Sequence, residues 1–98
     1  MSKGITMHTK PGCKYCDMAK LFLKEKNIPF STIHYDPLLP SYENLKLELM
    51  NQTKHYSFPQ IYIGDVFIGG YTELIRSYET CSLHDLCKDI GIVVEYEF

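Results

Sequence analysis

The chain has 98 residues, 45% of them apolar, with eight tyrosines and five phenylalanines, which suits a single domain over residues 1–98 with one core and leaves no room for a second. Ten basic residues against twelve acidic ones give a formal charge of −2, which excludes the electrostatic footprint of a nucleic-acid binder and a polybasic membrane patch. The start has no long apolar leader core and no stretch approaches a membrane-spanning length, so the expected setting is the reducing cytoplasm, with small molecules or proteins as partners.

Gly4 to Thr9 predicts a short strand, and Lys10-Pro11-Gly12 is a turn that delivers Cys13 to a helix start. That helix runs to about Asn27, with Met18, Leu21 and Phe22 at helical spacing, Lys20, Lys24 and Lys26 facing water, and Pro29 barring continuation. Phe30 to Asp36 is rich in β-formers and predicts a second strand, parallel to the first through a right-handed crossover. Pro37 to Pro40 is a loop, and Ser41 is positioned to cap a helix through about Gln52 that buries Tyr42, Leu45 and Leu49. Ile61-Tyr62-Ile63 and Val66-Phe67-Ile68, separated by Gly64-Asp65, predict a hairpin that Gly69-Gly70 ends. Thr72 is placed to cap a helix containing Leu74, Ile75 and Tyr78. A last helix is expected from Ser82, with Asp85 at the reciprocal capping position, Leu83, Leu86, Cys87 and Ile90 on one face, and Gly91 as its stop. Ile92 to Phe98 reads either as an added strand or as a packed extension. The order β-α-β-α-β-β-α-α makes an α/β protein, a small mixed sheet with helices on both faces.

Chemistry concentrates at Cys13-Lys14-Tyr15-Cys16. A cysteine at a helix start faces unsatisfied N–H groups and the positive end of the helix dipole, which favour the thiolate, the form that acts as nucleophile. Lys10 and Lys14 flank the site and act in the same direction. Residues three apart share a helix face, so Cys16 lies within reach of Cys13 and the pair can cycle between dithiol and disulfide. The competing use of this spacing is a zinc knuckle, which needs a second ligand pair. Cys81-x-x-His84-x-x-Cys87 could supply one, but it is distant in the chain and Cys87 sits on an apolar face, so a redox pair is the preferred reading. Cys81 and Cys87 otherwise read as small core or surface residues, and His8, His34, His55 and His84 share no spacing and read as ordinary surface or strand residues.

Three segments in order, Lys10 to Cys16, Ser57-Phe58-Pro59-Gln60-Ile61 and Ile68-Gly69-Gly70-Tyr71-Thr72-Glu73-Leu74, resemble those of the glutaredoxins, and the likeness extends to about residue 91. It implies a thioredoxin-like fold, a four-stranded mixed sheet flanked by helices on both faces. In that family the proline matching Pro59 is cis and exposes the backbone of the preceding residue, here Phe58, to pair with glutathione. The usual Thr-Val-Pro is replaced by Ser57-Phe58-Pro59, a larger ring that would narrow or grease the groove. The resemblance assigns the N–H groups of Tyr71 and Thr72, after the tight turn at Gly70, to the γ-glutamyl carboxylate. Many relatives carry Asp where Thr72 stands. Lys10 matches a lysine that binds the glycine carboxylate or supports the thiolate, Tyr15 matches an aromatic that lines the groove, and Asn51 or Gln52 is a further candidate for a carboxylate contact. Lys14 replaces a proline common between the two cysteines.

The implied function is that of a glutathione-dependent thiol-disulfide oxidoreductase. Cys13 attacks protein–glutathione mixed disulfides or protein disulfides, Cys16 resolves the latter, and glutathione regenerates the enzyme. The implied partners are glutathione and glutathionylated or disulfide-containing proteins, with the protein a monomer, no metal, and Cys81 a candidate for glutathionylation. Two alternatives stay open: a [2Fe–2S] cluster shared between two subunits, held by the nucleophilic cysteine and glutathione, and a thioredoxin-like reductant recharged by a reductase.

Overall fold

A computed structural model describes residues 4–91, and the strand or extension expected over residues 92–98 lies outside them. Strand β1 (Ile5–Thr9) is followed by helix α1 (Lys14–Glu25), strand β2 (Phe30–His34), helix α2 (Tyr42–Thr53), the hairpin β3 (Gln60–Ile63) and β4 (Val66–Gly69), and helices α3 (Tyr71–Glu79) and α4 (Ser82–Asp89). The sheet order is β2-β1-β3-β4. β1 runs parallel to β2, with Ile5 opposite Phe30, and antiparallel to β3, with Ile5 opposite Ile63 and Met7 opposite Ile61. The four-stranded mixed sheet and thioredoxin-like arrangement expected from the sequence are therefore present.

Alternation along β1 divides the molecule. Ile5 and Met7 point to one face, where they join Ile61 and Ile63, Ala19 and Leu23 of α1, Leu74 of α3, and Leu83 and Cys87 of α4 in the main core. Cys13, Cys16, Phe58 and Leu49 of α2 form a second, smaller cluster, with Tyr35, Met50 and Tyr62 packed against it. An open cavity of about 470 Å³, lined by Thr6, His8 and Tyr62 of the sheet and by Leu45, Glu48 and Leu49 of α2, lies on the other face. The two sides are thus unequally filled.

That asymmetry corrects several expectations. α2 buries only Leu49; Leu45 is 48% exposed, and Tyr42 is half-buried beneath the Lys46 ammonium, 5.0 Å from its ring centre. The buried residues of α1 are Cys16, Ala19 and Leu23, spaced i, i+3, i+7, so that Leu21 turns outward at 57% exposure. Phe22 meets Tyr78 edge-on at 5.2 Å, and the Lys26 ammonium lies 5.1 Å from the Tyr78 ring, a cation–π contact in place of the solvated charge expected there.

Element ends differ from expectation where local hydrogen bonds compete. β2 stops at His34 because the Asp36 carboxylate accepts the Leu38 N–H at 2.9 Å and turns the chain. α1 closes with Asn27 at φ 57° and the Ile28 N–H on the Leu23 carbonyl at 2.9 Å. Ser41 makes no side-chain cap for α2. Thr72 lies inside α3, whose cap residue is Gly70, and the Glu73 carboxylate accepts the Gly70 N–H at 3.0 Å. The Ser82–Asp85 box is absent too: Cys81 precedes α4 at φ 64°, and the Ser82 hydroxyl pairs with that of Thr80 at 3.0 Å.

Candidate active site

β1 ends on the turn Lys10-Pro11-Gly12, where Gly12 at φ +67° takes a left-handed conformation that favours glycine. The turn leaves Cys13 in an extended conformation as the residue capping α1. Cys13 and Cys16 are joined in a disulfide with their Cα atoms 5.2 Å apart. The Cys16 N–H donates to Cys13 Sγ at 3.1 Å, so a backbone donor at the helix start already points at the sulfur that would carry the negative charge after reduction. Cys13 keeps 9% of its surface while Cys16 keeps 1%, which makes Cys13 the sulfur an external thiol can reach.

Beside this pair is a pocket of about 330 Å³. It brings together Tyr15, Phe58, Pro59, Gly70, Tyr71 and Thr72 from three separate stretches of chain. The Phe58–Pro59 peptide is cis. Phe58 is 7% exposed, packed with the two cysteines and 5.4 Å from the Tyr35 ring, so most of its ring reinforces the cluster. The Lys10 ammonium sits 5.8 Å from the centre of that ring, and Lys14 is exposed. Tyr15 and Tyr71 face each other across the mouth at 5.9 Å. Gly69 adopts φ +115° and makes the turn. Gly70 is needed for space, since a Cβ there would lie 3.2 Å from the Pro59 carbonyl oxygen and 3.3 Å from His55 Nε2. Asn51 and Gln52 do not border this pocket; Gln52 lines the larger cavity beside α2.

Three further residues line the pocket that sequence reasoning did not assign to it: His55, Ser57 and Glu73. His55 shares no spacing with His8, His34 or His84 that would mark it in the sequence. Its place comes from buried Gln60, whose amide donates to the His55 carbonyl at 2.6 Å and accepts from the Thr53 hydroxyl at 2.8 Å. Gln60, next to the proline in the second motif, was the one available signal.

Away from the pocket, burial pushes the Cys87 thiol up to about 11, whereas Cys81 is exposed. Cys81, His84 and Cys87 do not form a ligand set, and among the described residues no group of three or more His, Cys, Asp or Glu side chains is arranged to hold a metal ion. His8 and the Tyr35 hydroxyl are hydrogen-bonded at 2.9 Å. Burial holds His8 below the usual histidine range, and burial, with Tyr62 and Glu48 nearby, raises Tyr35.

Fold and site together define a thioredoxin-fold protein with a redox-type C-x-x-C pair at a helix start. Residues 5–68 match the Glutaredoxin family, and the chain belongs to that family. It is 32% identical over 83 residues to a glutaredoxin of Neisseria meningitidis, covering 84% of this chain and 93% of that protein. The solution structure of a glutaredoxin from Brucella melitensis is 33% identical, with a TM-score of 0.71 over 87% of this chain and 88% of that one. A crystal structure of a buckwheat glutaredoxin–glutathione complex superposes with a TM-score of 0.81 at 19% identity, over 92% of this chain and 81% of that one, a likeness of fold. Family and C-x-x-C pair make the protein a thiol-disulfide oxidoreductase.

Proposed function

We propose that the protein is a cytoplasmic, glutathione-dependent reductase of glutathionylated proteins and protein disulfides. The observation that carries the reading is the pocket next to the Cys13–Cys16 pair, where Phe58, which packs with both cysteines, Pro59, the Tyr15–Tyr71 pair and the start of α3 converge. The glutathione named in the buckwheat complex supports it through the shared fold.

In the reduced enzyme the Cys13 thiolate attacks the glutathione sulfur of a mixed disulfide. The Cys13–glutathione bond forms, the substrate disulfide breaks, and the protein substrate leaves as a thiolate that takes a proton from water. A second glutathione thiolate attacks that sulfur, releasing oxidised glutathione and restoring Cys13. With a protein disulfide, Cys16 attacks the enzyme–substrate disulfide instead and leaves the Cys13–Cys16 bond, the state of the pair in this structure. Lys10, Tyr15, Phe58, Pro59, Gly70, Tyr71 and Thr72 are the proposed glutathione contacts.

Turnover of a glutathionylated peptide with glutathione and glutathione reductase tests the reading. Cys13→Ser should abolish it, and Cys16→Ser should retain it while losing most reduction of protein disulfides. Full activity of Cys13→Ser, or turnover supported by thioredoxin reductase and not by glutathione, would overturn it.

A further inference from the structure

Resting on that reading, we infer that His55 is a specificity-determining residue of the pocket, its imidazole a side-chain donor for the γ-glutamyl carboxylate of the glutathionyl substrate. Among the described residues that line this pocket, His55 is the one able to carry a positive charge and Glu73 the one able to carry a negative charge. The two are not equally available. Glu73 is turned back onto the N–H of Gly70, whereas His55 Nε2 stands against Gly70, 3.3 Å from where a Cβ would be, at the residue that begins α3.

The imidazole is held in place from several sides. Its backbone carbonyl accepts from Gln60 and its N–H donates to the Thr53 hydroxyl at 3.3 Å. Its ring meets Phe67 of β4 edge-on at 5.7 Å, and Nε2 hydrogen-bonds the Ser57 hydroxyl at 3.2 Å. The titratable groups sharing the pocket are Tyr15 from α1 and Tyr71 and Glu73 from α3, while Phe67 brings no charge from β4; Lys54 precedes His55 in the chain. An imidazole N–H beside the N–H groups that open a helix gives a carboxylate a side-chain donor in addition to the backbone ones.

The test is the KM for a glutathionylated peptide in the wild-type protein, His55→Leu and His55→Arg. The same peptide joined to cysteinylglycine, which lacks the γ-glutamyl group, is the control substrate. The expected result is a KM about three- to fivefold higher in His55→Leu, the size of one lost hydrogen bond, and a KM at or below the wild-type value in His55→Arg, with kcat little changed in both. The KM for the control substrate should be the same in all three proteins. Turnover with equal KM values for all three proteins would overturn the role of His55 and leave the reductase reading intact. Absence of turnover with either substrate would overturn both.

Discussion

At the scale of single residues the two halves of the chemistry have different owners. Cys13 is exposed enough to be attacked and Cys16 is not, so their inequality is geometric before it is electrostatic. The remaining cysteines differ as sharply. Cys87 is fully buried with its thiol raised to about 11, and Cys81 is exposed. In the reduced, folded protein at pH 8, iodoacetamide should therefore label Cys13 first and Cys81 next, and reach Cys87 only after denaturation. Mass spectrometry of time points distinguishes the sites, and early labelling of Cys87 would contradict the burial. Thr72 carries the second prediction at this scale. It is exposed in the first turn of α3 and bears no charge, so Thr72→Asp would supply a partner for the γ-glutamyl ammonium. Glutathione binding should tighten by a factor of a few, corresponding to about 0.2–1 kcal/mol, and the gain should shrink in high salt. Glu73→Gln should change binding little, because its oxygen is committed to the Gly70 N–H and glutamine retains that acceptor. KM at low and high salt measures both.

At the scale of elements, the start of α3 shows how one position can serve fold and site together. Gly69 holds φ +115°, and a Cβ there would come within 2.6 Å of Glu73 Cγ and Oε1. Gly69→Ala therefore combines a strained backbone with displacement of the side chain that satisfies the Gly70 N–H. The expected loss is about 1–3 kcal/mol of stability, read from urea unfolding, together with a raised KM for the glutathionylated peptide as the mouth of the pocket shifts. Unchanged stability would mean that the turn can reach another conformation without cost.

Across the whole molecule, the sheet separates a filled side from an open one. α1, α3 and α4 close the main core, while α2 contributes one buried residue and leaves the cavity over His8, Tyr35 and Tyr62. His8 is half-buried there and held below the usual histidine range by that burial. The unfolded chain therefore binds this proton more readily than the native state, and stability must rise with pH across the window. The contribution is intact above the unfolded value of about 6.5 and is lost as pH falls toward the lower native value. The urea midpoint should consequently drop between pH 7 and 5, and less steeply in His8→Gln, where this titration is gone. Equal slopes in the two proteins would assign the acid sensitivity to other groups.

What the sequence alone determined is local or periodic. The C-x-x-C at a strand-to-helix junction, the hairpin around Gly64-Asp65, the order of eight elements and the three motif segments were all legible, because each rests on turn chemistry or spacing within a few residues. Tyr15, Phe58, Pro59, Gly70, Tyr71 and Thr72, all within those segments, line one pocket. Tertiary structure alone decided which apolar stripe faces inward: Leu21 and Leu45 carry the right period, yet point to water because the sheet surface reaches only one arc of α1 and α2. Caps escaped the sequence for a related reason: Ser41 stands at the cap position of α2 but its hydroxyl makes no cap bond, while Thr72 and Ser82 lose the position to Gly70 and Cys81, whose backbone the packing had already placed. His55 was hidden most completely. It has no motif of its own, and it reaches the pocket because a buried glutamine five residues away holds its carbonyl and because Gly70, fifteen residues on, leaves its ring room; such a relation exists only once the sheet has brought the two segments together.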